Sequence, residues 1–232
     1  MTLCIIPARG GSKRIPRKNI RSFLGRPMIA WPIATALQSG LFEHVIVSTD
    51  DEEIAKVARE HGAEVPFMRP AELADDHTGT GEVVAHAIRE MQHVGWRGDA
   101  ACCLYATAPF TTAEHLRAAH NKLVSGERWY VFAACPYPHP IQRAFRQTSE
   151  GVEMFFPKHQ ETRSQDLEQA WHDAGQFYWG RAEAWLEQRP VFAPGSAFLP
   201  LNPAHVQDID TEEDWQRAEF LMEWLRKRRN TT

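Results

Sequence analysis

The residues best suited to chemistry lie in a basic loop near the start of the chain. Residues 7–19 read Pro-Ala-Arg-Gly-Gly-Ser-Lys-Arg-Ile-Pro-Arg-Lys-Asn and follow an apolar segment, Leu3–Ile6. This loop holds five cationic side chains and two glycines, and no carboxylate occurs before Glu43, although the whole chain has a formal net charge of -4. Positive charge is therefore concentrated where a polyanion can bind. We expect that polyanion to be a nucleoside triphosphate.

Each residue type in the basic loop suits a phosphate group. Gly10 and Gly11 let backbone N–H groups approach phosphate oxygens, while Arg9 offers a planar fork and Lys13 a point charge. The Walker A motif needs a Gly-Lys-Ser/Thr end and the Rossmann fingerprint needs a third glycine, so the loop matches neither. The alternative is a solvated loop or a nonspecific nucleic-acid patch. Because the loop has no aromatic side chain to stack on bases, we expect no nucleic-acid partner.

A second chemical signal is a pair of aspartates near the end of the chain. Asp208 and Asp210 are two residues apart in an extended segment, so strand alternation places both carboxylates on one face and Ile209 on the other. Mg2+ takes one or two protein carboxylates and completes its oxygen shell with water and substrate phosphates. The pair therefore predicts an Mg2+ site beside the triphosphate. The alternative is that Asp208 meets a basic neighbour and Asp210 caps the final helix.

A third signal is the polar segment formed by residues 69–80, which precedes a predicted helix. Its polar side chains, from Arg69 to Thr80, suit recognition of a base or a ribose by hydrogen bonds. The alternative is an N-cap cluster with a surface arginine, because Thr-Gly-Thr-Gly is ordinary capping chemistry. Asp50 and Asp51 follow another apolar segment, and for them helix capping is the better interpretation.

Short apolar runs alternate with helix-period segments along the first half of the chain. The predicted strands are Leu3–Ile6, Val45–Ser48, Glu64–Phe67, Ala100–Tyr105 and Tyr130–Ala134. The predicted helices are Met28–Gln38, Asp51–His61, Gly81–His93 and Thr112–Val124, with a capping box formed by Thr111 and Glu114. This alternation predicts an α/β fold, a mostly parallel Rossmann-like sheet with helices on both faces and a binding site at the carboxyl ends of the strands.

The pattern breaks at about residues 136–172, which are rich in proline and charge and have no clear period. We expect this segment to leave the sheet as an excursion from a single domain that spans residues 1–232. The alternative is a long surface loop, although loops of this length are usually functional or disordered. After it we expect the chain to return through Gly175–Gly180 to a helix near Arg181–Glu187 and then a strand leading into Val206–Ile209. The last predicted helix is Thr211–Arg226. That helix is expected to be capped by Thr211 and to bury Trp215, Ala218, Phe220, Leu221 and Leu225.

Composition limits the class of protein. A chain of 232 residues with 43% hydrophobic content can bury a full core. No apolar run approaches the roughly 20 residues needed to span a bilayer, and the N-terminal apolar stretch is too short for a signal peptide, so we expect a cytoplasmic protein without a membrane partner. The four cysteines lie in apolar segments without metal-ligand spacing, which indicates small, reduced core residues.

Several runs of sequence together resemble one enzyme family. They are Ala8-Arg9-Gly10-Gly11-Ser12-Lys13 with Lys18-Asn19, Val45-Ile46-Val47-Ser48-Thr49-Asp50, Arg69-Pro70-Ala71-Glu72-Leu73-Ala74 and Asp208-Ile209-Asp210-Thr211. In this order the chain resembles the CMP-nonulosonate (sialic acid) cytidylyltransferases along nearly its whole length. Within that family the runs 105–110, 163–168 and 172–180 are most similar to the pseudaminic acid branch.

The resemblance implies roles for individual residues. In the family, residues matching the basic loop hold CTP, an arginine matching Arg69 and a hydroxyl matching Thr80 help to read cytosine, and an Asp-x-Asp pair binds metal. The CTP-binding residues implied here are Ala8, Arg9, Gly10, Gly11, Ser12, Lys13, Lys18, Asn19, Arg69 and Thr80. Arg9, Lys13, Asp208 and Asp210 are the implied catalytic residues, the two aspartates also binding Mg2+. The family's excursion exchanges contacts with a second subunit, which implies a homodimer whose sites can include residues from both chains.

One departure from the sialic acid pattern concerns the acceptor sugar. The family's glutamine in a Leu-Gln-Pro-Thr-Ser-Pro run, which contacts the sugar, is replaced here by Ala106. A smaller side chain frees volume, which suits a nine-carbon acidic sugar with an extra acylamino group, such as pseudaminic acid. The candidates for binding its carboxylate and amides are Gln142, Arg143, Arg163, His172 and Gln176. Arg143 leads them because a guanidinium pairs bidentately with a carboxylate.

These observations predict a nucleotidyltransferase. We expect the anomeric hydroxyl of a nonulosonic acid to attack the α-phosphate of CTP and pyrophosphate to leave. CMP-sialic, CMP-legionaminic or CMP-Kdo synthesis is the alternative within this class, although the further metal aspartate of the Kdo family is missing from Leu104–Phe110. A noncatalytic nucleotide-binding module is the alternative in another class. The sequence places no residue as the general base.

Overall fold

The computed structural model describes residues 1–75 and 78–229. The strands are β1 (Thr2–Pro7), β2 (Ser22–Phe23), β3 (Arg26–Pro27), β4 (His44–Ser48), β5 (Ala100–Leu104), β6 (Tyr130–Pro136), β7 (Phe145–Thr148), β8 (Gly151–Met154), β9 (Trp171–Arg181) and β10 (Ser196–Pro200). The α-helices are α1 (Ala30–Ser39), α2 (Glu52–Glu60), α3 (Thr80–His93), α4 (Ala113–Val124), α5 (Ala182–Leu186) and α6 (Glu212–Arg229).

A six-stranded sheet forms the centre of the fold, in the order β10-β6-β9-β5-β1-β4. β1 pairs in parallel with β4 and β5, β6 pairs in parallel with β10, and β9 is antiparallel to β5 and β6. The mostly parallel sheet that the sequence predicts is therefore confirmed. Because the parallel strands end at one edge, the loops that follow β1, β4 and β5 meet there.

Helices cover both faces of this sheet, as predicted. Side chains of α1, α2 and α4 pack on one face, and those of α3 and α5 pack on the other. A third apolar cluster joins the basic loop to α6, with Ile15 and Phe23 against Ile209 and Trp215. The Phe23 ring meets the Trp215 ring edge to face, at 5.4 Å between centroids. This cluster packs the basic loop against α6 and the segment before it.

Two local predictions are wrong. Glu64–Phe67 is not a strand: Glu64 makes a single bridge with Ile46, and the run cannot extend as a ladder because Pro66 lacks an N–H. The α4 N-cap is Thr112 with His115, rather than the predicted box of Thr111 with Glu114.

The last helix begins as predicted but buries a different set of residues. The backbone N–H of Asp214 donates to the Thr211 hydroxyl, and the Asp214 carboxylate accepts from the Thr211 N–H, so Thr211 caps α6. Trp215, Ala218 and Met222 are buried, whereas Phe220 is 73% exposed. The prediction that Phe220 is buried is therefore wrong, since it stands off the stripe that Trp215, Ala218 and Met222 form at helical spacing.

The segment after β6 leaves the sheet. We call residues 137–170 the arm: it carries the β7–β8 hairpin and three short 3-10 helices before the chain returns through β9. Large apolar side chains on the arm are exposed, namely Phe145 (66%), Val152 (73%), Phe155 (55%) and Phe156 (40%). Among the described residues, no helix is long and apolar enough to cross a membrane. All four cysteines are buried, which agrees with their interpretation as core residues.

Candidate active site

The basic loop lies at the carboxyl end of β1, directly against the carboxyl end of β4. The Gly10 N–H donates to Asp50 Oδ1 at 3.0 Å, so Asp50 contacts the loop instead of capping α2. Asp51 is the α2 N-cap and accepts from the Ile54 N–H at 3.0 Å. A Cβ atom on Gly10 would lie 2.7 Å from Asp51 Oδ2, which explains why this position is glycine. Gly11 has open space around its Cα, which leaves room for a ligand.

A pocket of about 330 Å³ opens above this loop. It brings together eight of the residues singled out from the sequence, namely Arg9, Ser12, Lys13, Lys18, Asn19, Arg69, Thr80 and Ala106. Ala8, Gly10 and Gly11 belong to the loop backbone but do not line the pocket. The polar segment supplies Asp75 and Thr78 as well, while its residues 76 and 77 lie outside the described residues. The pocket is therefore cationic along one wall and hydroxyl-rich along the other.

Arg69 is a buried cation in the wall of this pocket. It is only 6% exposed, and its guanidinium donates to the Ser48 hydroxyl at 3.1 Å and to the Ser48 carbonyl. Burial lowers the pKa of Arg69, an effect that nearby Asp50 partly offsets. The side chain is not the surface arginine of the alternative interpretation, since it is buried and hydrogen-bonded to Ser48 at the end of β4.

Thr80 faces the pocket rather than capping α3. The α3 N-cap is Gly79, which has no side chain, and the Thr80 hydroxyl lies 3.3 Å from the Tyr105 hydroxyl. The capping interpretation of this residue is therefore wrong. Burial raises the pKa of Tyr105, so this phenol stays protonated and can donate a hydrogen bond.

The two aspartates lie beside the pocket and behind its cationic rim. Asp210 Oδ1 lies 2.8 Å from Arg14 Nη2 and 3.4 Å from Lys18 Nζ, and both of these cations line the pocket. The pKa of Asp208 is raised, first by burial and then by the negative charge of Asp210. Because Thr211 caps α6, the interpretation of Asp210 as a helix cap is wrong. Two neighbouring carboxylates beside a cationic pocket are oxygen donors of the kind that suits Mg2+.

A second chamber of about 260 Å³ adjoins the first and shares Thr80 and Tyr105 with it. Aromatic and polar side chains line the chamber, namely Tyr130, Asp173, Tyr178, Trp185, Gln188, Arg189 and Phe192. Sequence reasoning missed these residues, except that the run 172–180 was matched to the family. The sequence cue that could have pointed to them is Gly175, a glycine within a strand. In the structure Gly175 has φ +60° and lies in a bulge of β9. Bulges next to active sites often re-aim side chains.

The bulge fixes one carboxylate in this chamber. Asp173 Oδ1 accepts from the Gly175 N–H at 3.0 Å, and Oδ2 accepts from the Tyr178 hydroxyl. The Tyr178 ring packs against Tyr105 at 5.4 Å between centroids, so the chamber is linked to the first pocket through two phenols. Burial strongly raises the pKa of Tyr178, which keeps its hydroxyl protonated.

The remaining sugar candidates line neither the cationic pocket nor the adjoining chamber. Gln176 is buried, and its amide is used within the core: Oε1 accepts from the Thr111 hydroxyl at 2.9 Å, and Nε2 donates to the His205 carbonyl. The assignment of Gln176 to the sugar is therefore corrected, because both polar atoms of its side chain are already paired. On the basis of sequence spacing alone, an inward-facing amide of this kind looks the same as a ligand-binding one.

Three other candidates lie on the arm and a fourth at its end. Gln142 donates to the Glu168 carbonyl at 3.0 Å, Arg143 to the Thr162 carbonyl at 3.0 Å, and Arg163 to Asp166 at 2.7 Å. His172 lies against the Tyr137 ring. These four hold the arm together within one chain, and none of them lines the pocket or the chamber.

Comparisons with known proteins agree with this geometry. The sequence model of the cytidylyltransferase family matches residues 3–227. The chain is 48% identical over 220 residues to a pseudaminic acid cytidylyltransferase of Campylobacter jejuni, covering 94% of this chain and 95% of that protein. It is 34% identical to a CMP-N,N'-diacetyllegionaminic acid synthase of Legionella pneumophila, covering 95% of this chain and 96% of the relative.

Among solved structures, a CMP:2-keto-3-deoxy-manno-octonic acid synthetase complexed with CTP superposes with a TM-score of 0.70 at 15% identity, covering 96% of this chain and 98% of that one. At that identity the likeness shows a shared fold. The family model spans nearly the whole chain, and the two relatives cover 94% and 95% of it. This chain therefore belongs to the cytidylyltransferase family and is a nucleotidyltransferase.

Proposed function

We propose that this enzyme transfers CMP from CTP to the anomeric hydroxyl of pseudaminic acid, giving the CMP-activated sugar and pyrophosphate. The observation that carries the proposal is the junction of two cavities at Thr80 and Tyr105, a cationic one and an aromatic one. The 48% identity to a pseudaminic acid cytidylyltransferase over 94% of the chain supports the choice of acceptor.

In this mechanism CTP lies in the cationic pocket with its phosphates along the basic loop. Arg9, Lys13 and Lys18 neutralise the phosphate oxygens, and Arg69 with Thr80 orients the cytidine part. The anomeric oxygen of the sugar attacks the α-phosphorus in line, a new O–P bond forms, and the bond from that phosphorus to the bridging oxygen of the β-phosphate breaks. Pyrophosphate leaves with the bonding electrons, and the hydroxyl proton passes to solvent.

Asp208 and Asp210 are the residues that would hold Mg2+. Their two carboxylates, with phosphate oxygens and water, meet the cation's preference for hard oxygen ligands. When bound, Mg2+ would neutralise charge on the triphosphate and the leaving pyrophosphate. Arg14 and Lys18 contact Asp210 and face the pocket, so these cations can hold the same phosphates from the loop side.

We assign the sugar to the aromatic chamber. Its rings can bury the apolar parts of acylamino groups and of a deoxygenated tail, and Asp173 can accept hydrogen bonds from amide N–H groups. Ala106 lines the neighbouring pocket with a small side chain, which leaves volume at the junction. A Kdo or sialic acid acceptor, with a tail rich in hydroxyl groups, would find fewer polar partners here. A noncatalytic module would have no use for the aspartate pair next to the loop.

We further propose that the enzyme is a homodimer formed through the arm. Large apolar side chains, Phe145, Val152, Phe155 and Phe156 among them, are exposed on the arm, and exposed apolar surface commonly marks an interface. Gln142, Arg143 and Arg163 lie on the arm, where a second subunit could receive them near its own chamber. The four buried thiols suit a reducing compartment, so we place the reaction in the cytoplasm.

The experiment that tests the reaction is an assay of pyrophosphate release. Purified enzyme is mixed with Mg2+ and CTP, with and without pseudaminic acid, and UTP replaces CTP as the control for the base. We expect release that requires both CTP and the sugar. Release that proceeds equally with UTP would remove the assignment of Arg69 and Thr80 to cytosine, and tight CTP binding without any release would favour the noncatalytic module.

A further inference from the structure

Arg17 has an unusual backbone for an arginine. Its φ is +55°, in the left-handed region that side chains with a Cβ rarely adopt. The Arg17 carbonyl accepts from the N–H groups of Ile20 and Arg21, both at 3.0 Å, so the residue sits at the corner where the basic loop turns back. Glycine is the residue that such a corner normally favours. An arginine kept in this conformation calls for a compensating contact of its side chain.

The Arg17 guanidinium makes that contact with the start of α2. Nη1 and Nη2 donate to both oxygens of Asp51, the second at 3.0 Å, and Nη2 also reaches Glu53. Such bidentate pairs are the stronger kind of charged hydrogen bond. The pKa of Asp51 is lowered, chiefly by this hydrogen bond from Arg17. The same carboxylate caps α2, so Arg17 is tied to the first turn of a packed helix.

The acids that follow β4 hold the basic loop at two points. Asp50 accepts from the Gly10 N–H at the start of the loop, and Asp51 binds Arg17 near its end. The residues that line the pocket lie between and just after these points, namely Ser12, Lys13, Arg14, Ile15, Lys18 and Asn19. Arg17 itself does not line the pocket. Its side chain therefore acts on the pocket through the backbone that carries Lys18 and Asn19.

We propose that Arg17 is a positioning residue for CTP. The hydrogen bonds from its guanidinium to Asp51 and Glu53 hold the basic loop in the conformation that binds the triphosphate. The binding-competent loop is then present before CTP arrives, and CTP does not have to order it. This inference rests on the proposed site for CTP, because it concerns the same loop. It adds a residue that touches neither substrate in this arrangement.

The test compares Arg17→Gln, Arg17→Lys and Arg17→Gly with the parent enzyme. For each variant, CTP affinity is measured by calorimetry without sugar, KM and kcat by pyrophosphate release, and Tm by thermal melting. We expect Arg17→Gln to raise the Kd and KM for CTP at least tenfold while kcat changes less than threefold. Arg17→Lys should recover part of this loss, because it keeps the charge but not the fork.

Arg17→Gly separates positioning from a purely structural role. Glycine adopts φ +55° without strain, so this variant should keep or gain thermal stability while its CTP affinity falls as in Arg17→Gln. A merely structural ion pair would instead lower Tm and leave CTP affinity unchanged. The matched control is Arg117→Gln, which removes a guanidinium that bonds the Ser39 and Gln38 carbonyls, far from the loop in the fold. This control should change Tm without changing CTP affinity.

A double-mutant cycle identifies the partner. Asp51→Asn keeps an N-cap side chain of the same shape but removes the charge, so it should raise the Kd for CTP as Arg17→Gln does. If Arg17 acts through Asp51, the double variant should bind CTP no more weakly than either single variant does. CTP affinity within twofold of the parent in Arg17→Gln, or fully additive effects, overturns the proposal. Absence of CTP binding in the parent enzyme would instead overturn the proposed function, so the two failures are distinguishable.

Discussion

At the scale of single residues, the cations of the basic loop carry the first prediction. Arg9 and Lys13 line the pocket, and each would lose a charge-assisted contact with phosphate when replaced by alanine. Such a contact contributes about 1.5–3 kcal/mol. Arg9→Ala and Lys13→Ala should each lower kcat/KM for CTP by about one to two orders of magnitude with little change in Tm.

The control for this prediction is Lys56→Ala on the exposed face of α2, which should leave the kinetics unchanged. Normal CTP kinetics in both loop variants would mean that the pocket does not hold the phosphates.

Asp210 carries a second prediction at the same scale. Asp210→Asn keeps the shape of the side chain but removes one negative charge beside Arg14 and Lys18. We expect the Mg2+ concentration for half-maximal activity to rise at least tenfold, with stability nearly unchanged because Thr211 and Asp214 still cap α6. Titration of Mg2+ against pyrophosphate release measures this.

Glu212→Gln is the matched control for Asp210→Asn, since it neutralises a carboxylate in the first turn of α6 that pairs with Arg21 rather than with Arg14 or Lys18, and it should not move the Mg2+ curve. If the two variants behave alike, Asp210 has a structural role and the metal assignment is wrong.

Ala106 tests the choice of sugar. It is buried in the wall of the cationic pocket, directly after Tyr105, which both cavities share, so a longer side chain would extend toward the space assigned to the acylamino group. Overpacking costs about 1–3 kcal/mol. In Ala106→Gln we expect activity with pseudaminic acid to fall by about one to two orders of magnitude while the KM for CTP stays within twofold. Unchanged use of pseudaminic acid would show that Ala106 does not border the sugar.

At the scale of elements, the arm is the part most open to test. Phe145→Ser with Phe155→Ser removes two exposed rings from the arm, so we expect the dimer to dissociate at concentrations where the parent stays dimeric in sedimentation experiments. Phe220→Ser is the control, because Phe220 is also highly exposed but lies on α6. A parent enzyme that sediments as a monomer would contradict the proposed dimer.

The elements also show what the sequence could and could not reveal. The parallel strands β1, β4 and β5 follow from short continuous apolar runs, because they are buried on both faces. The helices α1 to α4 follow from helical periodicity, because each buries one face. The basic loop could be singled out because its five cations stand together without a carboxylate, and Arg69 and Thr80 could be singled out because their run of sequence matches the resembled family. The chamber was missed because its residues come from the start of α3, the end of β5, β6, β9, α5 and the loop after α5, and no local pattern in the sequence records that juxtaposition. Gln176 was misassigned because the bulge directs its amide into the core.

At the scale of the whole molecule, stability should depend on pH through two half-buried histidines. Burial lowers the pKa of His86 and of His120, whose ring packs on Trp179. The unfolded chain then binds more protons than the folded one as pH falls through about 6.5, so the free energy of unfolding decreases in that range. His120→Phe should flatten this decrease, as measured by urea unfolding between pH 8 and pH 5.5.

The exposed His93 provides the control for this pH dependence, and His93→Gln should retain the slope of the parent. A slope that is the same in His120→Phe as in the parent would mean that the folded protein protonates His120 without cost.

The most direct test of the whole account is a panel of acceptor sugars. The enzyme is given CTP and Mg2+ with pseudaminic, legionaminic, sialic or Kdo acid, and the CMP-sugar formed is identified by mass while pyrophosphate is quantified. We predict that kcat/KM is at least a hundredfold higher with pseudaminic acid than with sialic acid or Kdo. Equal or faster turnover with sialic acid or Kdo would contradict the assignment of the aromatic chamber to a diacylamino sugar.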